Sequence, residues 1–119
     1  MTHSVLIVLW IFTVPLHAAE LCPAADIGSL QLALKDKAAA EVNFFASWCA
    51  SCKKHLSAAT SSDVFIAVFD EKAAAEKVVA HVAREPLPRC FWDQDGSIAK
   101  AYDVKGLPAQ RPAEISPRQ

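Results

Sequence analysis

Residues 41–56 read EVNFFASWCASCKKHL, and the order of residue types within them sets the expected fold class. Val42, Phe44, Phe45 and Ala46 form an apolar run broken only by Asn43. A strand with one wet face alternates polar and apolar residues. This run is too apolar for that and suits a central parallel strand covered on both sides. Trp48 closes the run, Cys49 and Cys52 follow with two residues between them, and Lys53, Lys54 and His55 lead into a segment compatible with a helix. The expected order is strand, tight turn, cysteine, helix, with Cys49 in the first helical turn. Unpaired backbone N–H groups and the helix dipole favour an anion there, and the three basic side chains add positive potential. A thiol attacks a disulfide as its thiolate, and such surroundings bring a cysteine from about 8.5 into roughly the 3.5–7.5 range. Cys49 is therefore the expected nucleophile. Cys52, one turn further in, is the expected shielded thiol that resolves the mixed disulfide.

Other uses of this spacing stay open. A structural zinc site needs four ligands. Cys49, Cys52 and His55 supply three, and the fourth would be Cys22, Cys90 or His81. Haem attachment requires a His directly after the second Cys, where Lys53 stands. An inert structural disulfide is a further alternative.

Outward from this stretch the chain alternates strand and helix signals. Residues 29–37 suit a short helix with Ser29 as N-cap, after an irregular lead-in at 21–26. Residues 63–69, DVFIAVF, repeat the buried-strand pattern. Residues 70–84 are the clearest helix, with acidic residues at its start and Ala75, Val78, Val79, Val82 and Ala83 as its apolar stripe. Pro86 and Pro88 end it. Residues 89–92 are a third strand, 93–96 a turn ending on Gly96, 97–102 a short helix and 104–108 a loop. Asp93 and Asp95 lack the further acids of a calcium loop. Strands alternating with helices imply an α/β fold with a parallel sheet.

With 119 residues there is room for one domain. The chain is 53% hydrophobic and 21% charged with a net charge of −1, and its Lys and Arg are scattered, so nothing points to nucleic acid or an anionic membrane. No small-molecule cofactor or metal is expected. Residues 5–14, VLIVLWIFTV, are too short for the roughly 20 apolar residues of a membrane span. Followed by Pro15, Ala18 and Ala19, they suit residues 1–19 as a signal peptide or short N-terminal anchor. Export implies an oxidising compartment, in which Cys22 and Cys90 either pair as a second disulfide or Cys90 is an inert buried thiol.

Residues 42–54, VNFFASWCASCKK, resemble the active-site strand and helix of thioredoxin-fold proteins, above all the exported TlpA/ResA/DsbE-like thiol–disulfide oxidoreductases. Residues 93–109, DQDGSIAKAYDVKGLPA, are similar to that group's later segment ending in Gly-x-Pro. The resemblance implies a thioredoxin-like domain over residues 20–109, with a central, mostly parallel sheet flanked by helices. It implies a cis Leu107–Pro108 bond beside the cysteines, with Trp48, Leu107 and Pro108 docking an extended substrate. It also implies a periplasmic or otherwise exported reductant, free or membrane-anchored, of cysteine-containing client proteins such as apocytochromes c, supplied by a membrane electron-donor protein.

Three departures stand out. Asn43 occupies the place of the buried Asp of cytosolic thioredoxins, as is common in the exported group. His55 stands where many exported members carry Glu, on the Cys52 face by i,i+3 spacing, and is an acid–base candidate. After Pro108 the family continues with a strand, a hairpin partner and a closing helix, whereas this chain has only AQRPAEISPRQ. Residues 110–119 are expected as an irregular tail, and the scaffold as C-terminally truncated with an open sheet edge. The alternative functions are a truncated non-catalytic fragment or client-binding module, and a small metal-binding protein.

Overall fold

The computed structural model describes residues 20–37 and 41–114. The expected leader at 1–19 and the end of the expected tail at 115–119 lie outside the described residues.

The architecture is α/β. The elements, in chain order, are β1 (Ala24–Ala25), α1 (Ile27–Ala33), β2 (Glu41–Phe45), α2 (Ala50–Ser57), β3 (Val64–Ala67), α3 (Lys72–Val82), β4 (Arg89–Asp93), α4 (Ser97–Ala101) and β5 (Ala109–Pro112), with a 3-10 turn at Lys35–Lys37. They build one five-stranded sheet in the order β1-β4-β3-β2-β5. All neighbours are parallel except β5, which runs antiparallel to β2. The steps from β2 to β3 to β4 move towards one edge, so right-handed crossovers lay α2 and α3 on one face. The step from β1 back to β2 moves the other way and puts α1 on the opposite face, beside α4.

Side-chain alternation divides the core into two halves. Val42, Phe44, Val64, Ile66 and Val68 pack under α1 and α4 with Leu30, Ile98 and Tyr102. Phe45, Phe65 and Ala67 face the other way and pack under α2 and α3 with Leu56, Ala75 and Val79. Both faces of β2 and β3 are covered, which is why these two strands are almost wholly apolar. The α3 stripe reads as expected at Ala75, Val78 and Val79, all buried.

The ends of the elements hold the surprises. Helix α1 starts earlier than expected. Asp26, not Ser29, is its N-cap: Ser29 N–H donates to Asp26 Oδ1 at 2.8 Å, and Asp26 N–H donates to Ser29 Oγ at 3.0 Å, a reciprocal capping box. The lead-in contains β1, held by Trp92 N–H donating to Pro23 O at 2.9 Å. Cys22 and Cys90 form a disulfide with a Cα–Cα distance of 4.6 Å, fastening the N-terminal segment to β4. Glu20 and Lys72 add an ion pair nearby.

The segment after Pro108 also departs from expectation. It is not irregular: β5 pairs with β2 from Ala109↔Phe44 to Pro112↔Glu41. A ladder is made by backbone groups, and here side chains add to it. Gln110 Nε2 donates to Asn43 Oδ1 at 2.8 Å, and Arg111 Nε donates to Tyr102 O at 3.3 Å. The buried Tyr102 hydroxyl donates to Ala113 O at 2.6 Å, and its ring lies 5.4 Å from that of Phe44.

Burial pushes the Tyr102 phenol above its usual value. A raised folded pKa means that the unfolded chain gives up this proton more readily. Stability is therefore fully present below the ordinary phenol value of about 10 and is lost as pH climbs through the folded value. Tyr102→Phe leaves the Ala113 carbonyl without its donor, at a cost of about 1–3 kcal/mol. Urea unfolding at pH 8 is expected to show that loss, and the variant is expected to show a shallower decline towards pH 11 than the parent.

Candidate functional site

The site grows from the C-terminal end of β2, where a turn at Ser47 and Trp48 leads into α2. Cys49 N–H donates to Ala46 O at 3.1 Å, closing the turn. Cys49 is the N-cap of α2: its φ of −92° and ψ of 104° are extended, and its sulfur accepts the backbone N–H of Cys52 at 3.2 Å. A side-chain acceptor is what a helix N-terminus requires, since its first N–H groups have no partner within the helix. Here sulfur takes the place that Ser or Asp usually fills.

Cys49 and Cys52 are joined as a disulfide, with Cα atoms 5.3 Å apart. Both are largely enclosed, but unequally: Cys49 keeps 7% of its surface accessible and Cys52 only 1%. Cys52 Sγ lies 4.0 Å from Phe44 O, on the inner side of the helix. The asymmetry gives the pair one outward sulfur at the helix start and one inward sulfur behind it. In a reduced pair, the outward sulfur would keep the Cys52 N–H and the N-terminal dipole as stabilisation for a thiolate.

The turn is clamped from β3's side. Ser47 donates to Asp70 twice, through its N–H to Oδ2 at 2.6 Å and through its hydroxyl to Oδ1 at 3.1 Å. Glu71 N–H also donates to Oδ1 of Asp70, at 2.9 Å. Two indoles close on the same segment: Trp48 Nε1 donates to Phe69 O at 3.1 Å, and Trp92 Nε1 to Asp70 O at 2.8 Å. Phe69 itself has φ 55°, a left-handed conformation that a bulky side chain rarely adopts. Asp70→Ala removes three hydrogen bonds at one carboxylate and leaves Ser47 N–H, part-buried, without an acceptor. A loss of about 1–3 kcal/mol is expected, seen as a lower urea midpoint. Asp70→Asn, which keeps one acceptor oxygen, is expected to lose less.

The chain matches no protein-family model, no curated protein and no solved structure. The site therefore speaks through its own geometry.

The remaining sequence-predicted residues fall on two sides of the disulfide. Pro108, His55 and Cys52 line one small pocket of about 10 Å³, together with Asn43 and Gln110. The Leu107–Pro108 bond is cis, as the resemblance implies, and Leu107 packs against both halves of the core. His55 is exposed on the second turn of α2 and opens into a groove of about 530 Å³ beside Asn43 and Gln110. Asn43 Nδ2 donates to Val64 O at 3.2 Å, so its amide ties β2 to β3 while its oxygen holds Gln110.

Trp48 stands 63% exposed at the turn before Cys49, its indole N–H tied to Phe69 O. Among the described residues no three His, Cys, Asp or Glu side chains gather as a metal site, and all four cysteines are paired.

Nothing in the sequence marks Asp70 as part of the site. In sequence it reads as an ordinary helix-start acid, and only its partner Ser47, 23 positions earlier, gives it another task.

Proposed function

We propose that the chain is an exported thiol–disulfide oxidoreductase of thioredoxin-like fold, allied to the TlpA/ResA/DsbE-like group, and that it reduces disulfides in client proteins. One observation carries this reading above the others. Cys49 caps α2 through its sulfur and forms a disulfide with Cys52 within the first turn, at the end of a buried central strand. Two disulfides in one small chain also suit an oxidising compartment.

The exchange balances as follows. In the reduced protein, the Cys49 thiolate attacks one sulfur of the client disulfide. A mixed disulfide forms, and the other client sulfur leaves as a thiolate that takes a proton from solvent. Cys52, losing its own proton, then attacks Cys49 Sγ. The mixed bond breaks, the second client sulfur leaves, and the Cys49–Cys52 disulfide closes. Two electrons pass from the dithiol to the client, and a dithiol donor, proposed to be a membrane protein, restores the reduced pair.

Leu107, Pro108 and Trp48 border the cysteines and would dock the extended client segment. His55 shares a pocket with Cys52 and is the group proposed to take its proton. The route of that proton differs from one using a carboxylate, because Asn43 has none to offer.

Insulin reduction driven by dithiothreitol tests the reading. The chain is expected to accelerate precipitation of the insulin B chain, and Cys49→Ser is expected to fall to the uncatalysed rate. A folded parent chain with no acceleration over dithiothreitol alone counts against the proposal and in favour of a non-catalytic client-binding module.

A further inference from the structure

A second groove opens on the α3 side of the dithiol, away from Pro108. It has a volume of about 360 Å³ and runs from Ser47, two residues before Cys49, past Lys53, directly after Cys52, onto α3. On α3 it is bordered by Ala74, Lys77, Val78, His81 and Val82, which recur at spacings of three and four and so form one stripe. Val78 is buried and Val82 half-buried, giving the groove an apolar floor, while Lys53, Lys77 and His81 are exposed along its rim. Among the described residues that line it there is no carboxylate. The nearest acid in the turn, Asp70, already accepts from Ser47 and Glu71.

Two aromatic rings stand at the dithiol's turn. Trp48 is 63% and Phe69 54% exposed, and Trp48 Nε1 is tied to Phe69 O. Phe69 is held at positive φ with its ring in solvent, an arrangement that folding alone does not favour. Neither ring lines the groove, but Trp48 directly follows Ser47 at its end, so exposed aromatics and a lysine-rimmed cleft meet at the turn. That is the composition of a binding surface: a large apolar anchor with charge to select the partner.

We propose that this surface selects clients whose reactive cysteine is flanked by acidic residues. It rests on the exchange reading above and names the substrate class for it. The client's cysteine meets Cys49, an apolar neighbour lies against Trp48 and Phe69, and its carboxylates reach Lys53 and Lys77 along the groove. Charge of one sign in a cleft acts on encounter, so it raises the rate for acidic clients more than it changes the chemistry of exchange.

The test uses the full chain with dithiothreitol as electron source and two disulfide-linked peptides. The peptides are identical except that Glu residues flank the cysteine in one and Lys residues in the other. Rates are corrected for reduction by dithiothreitol alone. At low salt the acidic peptide is expected to be reduced about threefold to tenfold faster. The advantage is expected to vanish in about 1 M salt, where screening acts over roughly 3 Å. Lys77→Glu, on an exposed position of α3, is expected to abolish or invert the preference, and Lys77→Arg to keep it. Equal rates on both peptides, or a preference unmoved by Lys77→Glu, overturn the docking surface and leave the exchange reading standing. No reduction of either peptide overturns both.

Discussion

A Cys52→Ser variant is expected to stop after the first sulfur exchange of the proposed reaction, with the client left attached through Cys49. Cys52 sits one helical turn behind Cys49, almost wholly enclosed, and its sulfur closes on Cys49 with the Cα atoms 5.3 Å apart. A thiol held at that range competes with solvent thiols at an effective concentration no dissolved reagent reaches, an advantage of several orders of magnitude. Serine lacks the nucleophilic sulfur but keeps the size, so the helix start is retained. Incubating the reduced variant with a disulfide peptide is expected to give an adduct whose mass is the sum of the two parts, released by dithiothreitol. Cys49→Ser under the same conditions is expected to give none, because the sulfur left in that variant is the one facing Phe44 O. Abundant adduct through Cys52 in Cys49→Ser would reverse the assignment of the two roles.

The second large effect concerns the other pair. Cys22 and Cys90 lie 68 positions apart, so their bond removes a long loop from the conformations open to the unfolded chain. Losing it is expected to cost about 2–4 kcal/mol, which for a domain of this size lowers Tm by roughly 10–25 °C. The informative variant is the double replacement Cys22→Ala with Cys90→Ala. A single replacement would leave a thiol able to exchange with Cys49–Cys52 and blur the result. The double variant is expected to melt earlier in calorimetry, while below its transition Cys49 and Cys52 still exchange with a small disulfide. An unchanged Tm would mean that non-covalent contacts hold β1 in place without the disulfide: the backbone bonds of Pro23 and Ala25 to Trp92 and Gln94, the Cys22 N–H to Glu76 bond and the Glu20–Lys72 ion pair.

How much of this was legible in the sequence depended on where each element finds its partners. β2 and β3 are legible because both their faces are buried, and a fully apolar run says so directly. The stripe of α3 is legible because Ala75, Val78 and Val79 face one side at helical spacing. The start of α1 is harder, because Asp26 and Ser29 are both cap-forming residues three positions apart. Either can open the helix, and their reciprocal bonding decides for Asp26. β5 gives no apolar signal. Its stability lies in the backbone ladder with β2, the Gln110–Asn43 contact and the Tyr102 hydroxyl, all supplied from distant positions.

At the site, the cysteine pair, His55 and Pro108 are visible as a spacing and a resemblance. The clamp at Asp70 is not, because nothing local distinguishes it from a helix-start acid.

The order β1-β4-β3-β2-β5 sets the first and last strands of the described domain on opposite margins of the sheet, about 19 Å apart across four strand spacings. The two margins are fastened differently. On one, β1 is sewn to β4 by a covalent bond. On the other, β5 rests on hydrogen bonds to β2 and on Tyr102. Mechanically the domain is a hem stitched along one border and folded along the other. A pull on the two ends would be borne by a covalent seam at β1 and by hydrogen bonds alone at β5. The sheet is therefore built to give way from the β5 border inward, and the first strand uncovered would be β2, the one that carries the dithiol.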